Sequence, residues 1–275
     1  MTNQEEIRAI IQGHANRDDI FNHDEGEEFD KAELALRALQ KYGDDLIPTL
    51  VDALSDPYVA VRRVAMRLLG EMDTEDESVL PAMIGLLEDS NRSIRHAAAG
   101  FVTRFGEKAK SAIPTLQSWI ASIDEMSRIL AAGSIMMIDK TQTDAMLSLL
   151  IDALESDGLE QWEAILQLES LGELAMPAVP ALERLVDEGD TTISWQSSDA
   201  IFEITGDDSS VIKVGKRLLN DPDELIRVVA VEHLMQLGKS VMPTLEKVAV
   251  EDKSDLVRNR AVAALEEISS LPPLI

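Results

Sequence analysis

Apolar residues and prolines return along the chain with a period of about 33 residues. An aliphatic residue followed by proline opens five segments, at Ile47-Pro48, Leu80-Pro81, Ile113-Pro114, Val179-Pro180 and Met242-Pro243. The first three of these prolines are 33 residues apart. One phrase recurring at one spacing predicts a chain of structural repeats, in which each repeat buries its hydrophobic side against its neighbours.

A set of positions that we call the arginine column follows the same period. It consists of Arg62, Arg95, Arg128, Arg227 and Arg258, with Gln161 and Ser194 at the two intervening positions. The residue three positions later is always small, namely Ala65, Ala98, Ala131, Ala164, Ser197, Ala230 or Ala261. The residue seven positions later is always aliphatic, namely Leu69, Val102, Ile135, Leu168, Ile201, Leu234 or Leu265. Because offsets of three and seven lie on one side of an α-helix, the pattern predicts a buried helical face in every repeat.

Each repeat is predicted to be a hairpin of two helices. Proline marks the start of the first helix, because the amide hydrogen that it lacks would have no partner in the first turn. Asp56-Pro57 and Asp221-Pro222 indicate an aspartate N-cap followed by the first residue of the second helix. Gly106, Gly172 and Gly238 are predicted to end second helices.

The predicted helix pairs occupy residues 44–74, 79–106, 112–139, 145–171, 178–206, 211–237 and 241–269, each to within a few positions. Before them, Phe29 to Tyr42 matches a second helix and Ile7 to Ile11 its partner, with an acidic loop between them. We therefore expect an N-terminal cap at residues 1–43 and one continuous repeat domain at residues 44–275.

The arginine column is expected to be structural. A cation one turn into a helix lies near the positive end of the helix dipole, where it needs a compensating carboxylate. The aspartates between the two helices, such as Asp56, Asp89 and Asp221, are placed to supply it within the same repeat or from the next one.

These features together resemble HEAT-like repeats, of the variety found in bacterial proteins and in relatives of phycobilisome lyases. The residues that carry the resemblance are the proline-led first helix, the arginine, alanine and leucine of the second helix, and the connection from Gly106 to Pro114. The resemblance covers residues 29–269 and implies an all-α, right-handed superhelical solenoid of about seven hairpins with an N-terminal partial repeat. It also implies that first helices line the convex side, that second helices line the concave side, and that function is binding.

Composition narrows the class of partner. The 275 residues include 51 acidic and 25 basic side chains, which give a net charge of −26. Such a surface repels nucleic acids and anionic membranes, so neither is expected as a partner. The chain has no cysteine, its first residues show no pattern of a secretory signal, and its most apolar stretch, Ile129 to Ile138, is shorter than the roughly 20 residues of a membrane span. We expect a cytoplasmic monomer.

Residue patterns typical of catalysis or metal binding do not emerge. Deoxyhypusine hydroxylase, which has HEAT-like repeats, binds iron through His-Glu pairs, whereas none of His14, His23, His96 and His233 is followed by glutamate. The reversed pair Glu232-His233 occurs once, and the acidic loop before residue 30 fails the spacing of an EF-hand. We therefore expect no catalytic residue, no metal and no cofactor.

Two enzymatic alternatives remain open from the resemblance. HEAT-like bilin lyases hold a linear tetrapyrrole and its protein acceptor, and no residue of this chain is diagnostic for that role. HEAT-like alkylpurine DNA glycosylases use an aspartate and aromatic residues in a basic groove. Asp199 and Trp195 are residues of the same types that lie close together in this sequence. The net charge of −26 argues against the glycosylase.

A band of apolar residues on the second helices is the candidate site for a protein partner. Offsets one and eight from the arginine column point away from the core, yet they carry Ile129, Met136, Trp162, Trp195, Phe202, Val228 and Met235. Acids such as Glu169, Asp199 and Glu232 border this band, which favours a basic or apolar partner segment on the concave side. Packing between adjacent second helices is the alternative explanation for the same residues.

Overall fold

The computed structural model describes residues 2–18, 39, 42, 46–72, 76–121 and 124–270, with the side chains of residues 14–18 excepted. Every regular element within these ranges is a helix, and the fold is an all-α repeat solenoid. The predicted acidic loop, most of the helix predicted from Phe29 to Tyr42, and the side chains of His14 and His23 lie outside the described residues.

The helices pair into hairpins at the predicted places. The structure has a leading helix α1 (Asn3–Asp18), and then the pairs α2 (Leu46–Ala53) and α3 (Val59–Glu71), α4 (Leu80–Leu86) and α5 (Arg92–Thr103), α6 (Ile113–Ile120) and α7 (Glu125–Ile138), α8 (Thr143–Ala153) and α9 (Leu159–Leu171), α10 (Val179–Glu188) and α11 (Thr191–Thr205), α12 (Ser209–Leu218) and α13 (Glu224–Gln236), and α14 (Met242–Glu251) and α15 (Asp255–Ser270). The prediction of successive helix pairs is confirmed.

The residue columns read from the sequence form the core. Every member of the small column, from Ala65 to Ala261, is completely buried. In α1, Ile7 and Ile11 are also completely buried, and the helix packs against α2 and α3. Its predicted pairing with the helix from Phe29 to Tyr42 lies mostly outside the described residues. Close packing of second helices requires small side chains where their backbones approach, which explains the alanine at this offset.

Glycines end several second helices by adopting a left-handed backbone. Gly106, Gly172 and Gly238 have φ angles of 49°, 54° and 66°, a region that side chains with a Cβ rarely adopt. Each begins a short 3₁₀ segment that leads to the next proline-led helix, for example Gly106–Ala112 before α6. The predicted helix ends are confirmed at these three positions.

The start of the second helices differs from the prediction by two residues. Asp56 and Asp221 are not N-caps, because α3 begins at Val59 and α13 at Glu224. Their carboxylates instead accept hydrogen bonds from the backbone amides two residues later, at 2.9 and 2.8 Å, which turns the chain before the helix. The prediction missed this turn because an aspartate followed by proline is compatible with either conformation.

The arginine column joins the two helices of a hairpin and, in two repeats, joins that hairpin to the next. Arg62 donates to both carboxylate oxygens of Asp89 in the next repeat, at 2.7 and 2.8 Å, and to the backbone carbonyl of Asp56 at 2.8 Å. Arg227 repeats this arrangement with Asp252, at 2.9 and 3.1 Å, and with the carbonyl of Asp221 at 2.8 Å. The compensating carboxylate therefore comes from the following repeat.

Residues that replace arginine in the column still donate a hydrogen bond to a backbone carbonyl of the turn between the two helices. Arg95 donates to the carbonyl of Asp89, in its own hairpin, at 2.8 Å. Gln161 donates to the carbonyl of Leu154 at 2.8 Å, and Ser194 donates to the carbonyl of Gly189 at 3.1 Å. The column thus satisfies carbonyls at the end of the first helix, which would otherwise lack a partner.

The chain divides into two compact units, residues 1–149 and residues 150–275. The division falls inside α8. Within each unit, successive second helices pack on one another in chain order, as α5 does on α7 in unit 1 and α9 does on α11 in unit 2. The expectations of one continuous repeat domain and of a right-handed superhelix stay predictions. None of the described helices combines the length and the apolar character that crossing a membrane requires.

Candidate functional site

The structure corrects the predicted apolar band at two positions in unit 1. Ile129 and Met136 are completely buried in α7 and have no surface to offer a partner. Helix α7 is apolar on nearly all sides and packs against both α5 and α6. A helix that is hydrophobic all round is a buried helix, so the apolar residues at offsets one and eight belong to its packing.

Trp195 is also a packing residue, in unit 2. Its side chain is 7% exposed, and its indole stacks on the imidazole of His233 in the next repeat. The ring centroids lie 4.3 Å apart and the planes differ by 23°. The indole Nε1 is buried and has no hydrogen-bond acceptor among the described residues. Because Trp195 is covered, it has no free face on which a DNA base could stack.

The other four residues of the predicted band keep part of their surface. Trp162 on α9, Phe202 on α11, and Val228 and Met235 on α13 are half-buried. Val228 and Met235 pack against the core of the last two repeats with one side and leave the other side accessible. Side chains of this kind provide an apolar contact surface without being loose, which suits a binding face.

Three carboxylates lie among these half-buried residues, and we call Glu169, Asp199 and Glu203 the acidic cluster. Glu169 on α9 accepts a hydrogen bond from the side-chain amide of Gln196 on α11, at 2.7 Å. Asp199 and Glu203 stand one turn apart on α11 and repel both each other and Glu169. Among the residues that the structure describes, no lysine or arginine forms an ion pair with any of the three.

Burial and neighbouring charges raise the pKa values of two of these carboxyl groups. Burial raises the pKa of Asp199, the nearby His233 lowers it in part, and the charges of Glu169 and Glu203 raise it again. Burial likewise raises the pKa of Glu169, against the hydrogen bond from Gln196, and Glu203 adds to the increase. Two members of the cluster, Glu169 and Asp199, are thus partly desolvated, whereas Glu203 is exposed, and an incoming cation would stabilise their negative charge.

Not every acid predicted at the border of the band belongs to this cluster. Glu232 is paired with Arg260, whose Nε lies 3.1 Å from the carboxylate. The same guanidinium contacts Glu267 at 3.2 Å and the sulfur of Met235 at 3.6 Å. Sequence reasoning missed Glu203, although its position four residues after Asp199 places it on the same side of α11.

A serine, a histidine and an aspartate meet in unit 1 but do not form a hydrolytic triad. His96 Nε2 lies 2.9 Å from the Ser127 hydroxyl, which donates to Asp124 at 2.5 Å, and Asp124 lies 3.9 Å from the same Nε2. In a triad the histidine takes the serine proton with one nitrogen and the carboxylate holds the other nitrogen. Here the serine proton goes to the carboxylate, so His96 does not activate the hydroxyl. Burial, together with the charge of Arg92, also lowers the pKa of His96.

Within the described ranges, no group of three or more histidine, aspartate and glutamate side chains is arranged to hold a metal ion. Both members of the pair Glu232-His233 are engaged, Glu232 with Arg260 and His233 with Trp195. The expectations of no metal and no cofactor stay predictions.

Residues 25–100 and 47–124 match the family of HEAT repeats. This part of the chain is similar to HEAT repeats, and the described hairpins that follow it have the same form of two paired helices. HEAT-type repeats form scaffolds for protein interaction, because each hairpin adds to one extended surface. The search of curated proteins found no match to the chain.

The chain is similar to several solved structures at low sequence identity. A chain of "the complex of CpcE and CpcF of phycocyanin lyase from Nostoc sp. PCC7120" is 18% identical, with 81% of this chain and 94% of that chain covered and a TM-score of 0.51. A designed armadillo repeat protein is 17% identical over 81% of this chain and 99% of its own, with a TM-score of 0.40. Human deoxyhypusine hydroxylase in complex with glycerol is 18% identical over 97% of each chain, with a TM-score of 0.36.

Proposed function

We propose that the protein is a non-enzymatic scaffold that binds a partner protein on the second-helix face of unit 2. The face consists of the half-buried Trp162, Phe202, Val228 and Met235 together with the acidic cluster. The partner contributes a segment that combines lysine or arginine with apolar side chains. By the resemblance to HEAT-like solenoids this face is concave. The proposal includes a cytoplasmic monomer as the working state.

The acidic cluster is the observation that carries the proposal. Carboxylates that only keep a protein in solution stand apart in water, whereas Asp199 and Glu169 are partly desolvated and repel each other. Keeping them ionised costs free energy in the unbound protein, and a lysine or arginine within hydrogen-bond distance would recover it. The gain exists only in the complex, so it contributes to affinity.

The neighbouring apolar side chains indicate what else the partner segment carries. Phe202 lies three residues after Asp199 on α11 and so shares a helix face with it, and a cation on Asp199 brings the adjacent partner residue close to the phenyl ring. Half-buried aromatic side chains in such positions are frequent sources of binding energy at interfaces. A segment with alternating cationic and aliphatic residues would match both features.

Titration with a labelled peptide tests the proposal. The probe is a fluorescein-labelled peptide in which lysine and arginine alternate with leucine, and its binding is followed by fluorescence anisotropy. Glu203→Gln and Phe202→Ala should each weaken binding, by roughly three- to tenfold, through loss of one charged or apolar contact at the interface. Glu183→Gln is the matched control, because Glu183 is exposed on the first helix of the same repeat.

Two results would refute this assignment. If Glu183→Gln weakened binding of the peptide as much as Glu203→Gln did, the binding would come from the overall charge rather than from this face. If Glu203→Gln and Phe202→Ala both left the affinity unchanged while melting curves showed folded protein, the face would not be the site.

The fold likeness to a phycocyanin lyase complex raises a second candidate, a bilin lyase or chaperone. At 18% identity the likeness concerns the fold alone. This candidate predicts that mixing the protein with a linear tetrapyrrole shifts the visible absorbance of the pigment, and a scaffold that binds only protein leaves that spectrum unchanged.

A further inference from the structure

A groove of about 610 Å³ in unit 1 has the opposite chemistry from the acidic cluster. It lies between the second helices α3 and α5, and we call it the arginine groove. Arg63 and Arg67 of α3 and Arg104 just after α5 line it, and Ala97, Gly100 and Phe101 form part of its apolar lining. No carboxylate is among the described residues that line it, in a chain with 51 acidic residues.

Two of the three arginines are not neutralised within the described part of the chain. Neither Arg63 nor Arg67 forms an ion pair with a described residue, and the Nε of Arg67 is buried without a hydrogen-bond acceptor. The buried Nε of Arg67 costs free energy because it has no acceptor, and a carboxylate on the rest of this half-buried guanidinium would add charge-assisted hydrogen bonds that the free protein lacks. Elsewhere in the chain, buried guanidinium groups such as that of Arg227 are fully engaged.

The third arginine is held in place at the edge of the groove. The guanidinium of Arg104 lies 5.0 Å from the centre of the Phe101 ring and donates to the carbonyl of Gly70 at 3.4 Å. A charged group that is already positioned loses less conformational entropy when it binds a ligand. The groove therefore has one donor positioned at its edge, beside an apolar lining.

The lining of the groove leaves room for a side chain at Gly100. A Cβ added to this exposed residue would meet no atom within 4 Å, although the residue lies in the middle of α5. Ala97, one turn earlier, is also exposed. Small residues on two successive turns thus leave an open channel beside the arginines.

The arginine groove and the acidic cluster use the same offsets in different repeats. Arg67 and Asp199 both stand five residues after a position of the arginine column, and Arg104 and Glu203 both stand nine residues after one. These two positions therefore carry positive charge in unit 1 and negative charge in unit 2, except that Glu71 stands nine residues after Arg62.

We propose that the arginine groove binds an acidic segment of a protein partner, with carboxylates on Arg63, Arg67 and Arg104 and a small aliphatic side chain over Gly100. This second site goes beyond the proposed binding face in unit 2. A nucleic acid is a poor match, because its many phosphates would meet a chain of net charge −26 beyond the groove. A peptide with a few carboxylates needs only the three arginines.

The test uses the full chain and a fluorescein-labelled peptide in which glutamate and aspartate alternate with leucine and alanine. Arg67→Gln should weaken binding about tenfold, since it removes the donor that lacks a partner in the free protein. The control is Arg92→Gln, which removes the same charge from the same region, because Arg92 is exposed on α5 and already paired with Asp124. The corresponding peptide with glutamine and asparagine should not bind.

A second variant tests the shape of the groove without changing its charge. Gly100→Leu should place a side chain in the open channel and keep or raise the melting temperature. It should also lower the affinity for the acidic peptide about tenfold. Gly85→Leu is the matched control, because Gly85 is a helical glycine in α4 with equally open surroundings and lies outside the groove. It should leave the affinity unchanged.

Any of three results would overturn the proposal. The first is that Arg92→Gln weakens binding of the acidic peptide as much as Arg67→Gln does, which would mean general electrostatic attraction. The second is that Gly100→Leu binds the acidic peptide as tightly as the unmodified protein does. The third is that a single-stranded oligonucleotide binds more tightly than the peptide and depends on Arg67 in the same way.

Arg67→Gln should leave the affinity of unit 2 for the peptide of lysine, arginine and leucine unchanged. The two proposed sites can therefore be refuted independently.

Discussion

The indole of Trp195 and the imidazole of His233 lie stacked across a repeat boundary, with their centroids 4.3 Å apart. Trp195 belongs to α11 and His233 to α13, both in unit 2. The stack covers most of the largest aromatic side chain on α11 and places the imidazole close enough to Asp199 to lower its pKa in part. One contact thus serves both the packing of the repeats and the charge of the acidic cluster.

Trp195→Ala should therefore reduce the free energy of unfolding by about 3–5 kcal/mol, the cost of removing a large buried aromatic side chain. Trp195→Phe should cost less, because the Nε1 of Trp195 has no acceptor to lose. Trp162→Ala is the comparison, and its effect should be the smaller because Trp162 is half-buried. Urea denaturation measures all three, and equal losses for both alanine variants would contradict the packing role of Trp195.

The buried ion pair between Arg227 and Asp252 should be sensitive to the loss of one partner. The two side chains are 3% and 8% exposed. Asp252→Asn leaves a buried guanidinium without its carboxylate, so the free energy of unfolding should fall by about 3–5 kcal/mol. The exposed pair of Arg184 and Glu155 is the control, and Glu155→Gln should cost under about 1 kcal/mol. A cost for Asp252→Asn as small as that of Glu155→Gln would show that the pair is not a repeat junction.

The same pairs predict how stability depends on acid. Burial acts to raise the pKa values of Asp89 and Asp252, but hydrogen bonds from Arg62 and Arg227 and from nearby backbone amides outweigh it, so both pKa values are lowered. The unfolded chain then binds protons at higher pH than the folded protein. The stability from these two groups is complete above the ordinary aspartate pKa of about 3.9 and is lost as pH falls through the lowered values. Denaturation curves between neutral and strongly acidic pH should show this loss, and Asp252→Asn should reduce its size.

Asp199 is expected to behave in the opposite way. Its pKa is raised, so the folded protein holds this proton more tightly than the unfolded chain does, and stability falls as pH rises through the raised pKa. Asp199→Asn should therefore increase the free energy of unfolding at neutral pH, and the increase should shrink below the ordinary aspartate pKa. It should also weaken binding of the peptide of lysine, arginine and leucine. The exposed Asp157→Asn is the control for both measurements, and a destabilising Asp199→Asn would argue that the cluster serves stability alone.

Two helical glycines should respond oppositely to the same substitution. A Cβ on Gly215 would lie 2.5 and 2.6 Å from Leu234 side-chain atoms in the core, so Gly215→Ala should destabilise the protein by about 1–3 kcal/mol. Gly100 has open space, and Gly100→Ala should stabilise it by about 0.5–1 kcal/mol through helix propensity. Thermal melts of the two variants check this, and a shift in the same direction would contradict the close approach of α12 and α13.

The sequence predicts the hairpins well because several columns agree on one period. Ala65 and its counterparts are buried, and Gly106, Gly172 and Gly238 end their helices, since each requirement acts locally and leaves one residue type. The sequence does not distinguish the carboxylate partner of Arg62, because aspartates stand at equivalent places in two hairpins. The folded structure pairs Arg62 with the carboxylate of Asp89 in the next repeat, and Asp56 of the same repeat contributes only its backbone carbonyl.

The surfaces were harder to predict, because exposure depends on what a helix packs against. Ile129 and Met136 share their offsets with Trp162 and Phe202, yet they are buried, and the apolar character of all sides of α7 was the signal that could have shown it. The pattern of apolar residues does not predict the arginine groove, because the charged side chains that line it are not part of that pattern. Arg63 and Arg67, one turn apart on a second helix, were the sign of it in the sequence.

The hydrogen bonds from the arginine column to turn carbonyls have a consequence for how such a chain can change length. Donor and acceptor belong to the same hairpin, whether the donor is Arg95, Gln161 or Ser194. A duplicated or deleted hairpin therefore brings or removes both groups together and leaves no orphaned carbonyl behind. Evolution or protein engineering can add and subtract whole hairpins, whereas a break between the two helices of one hairpin separates partners that need each other.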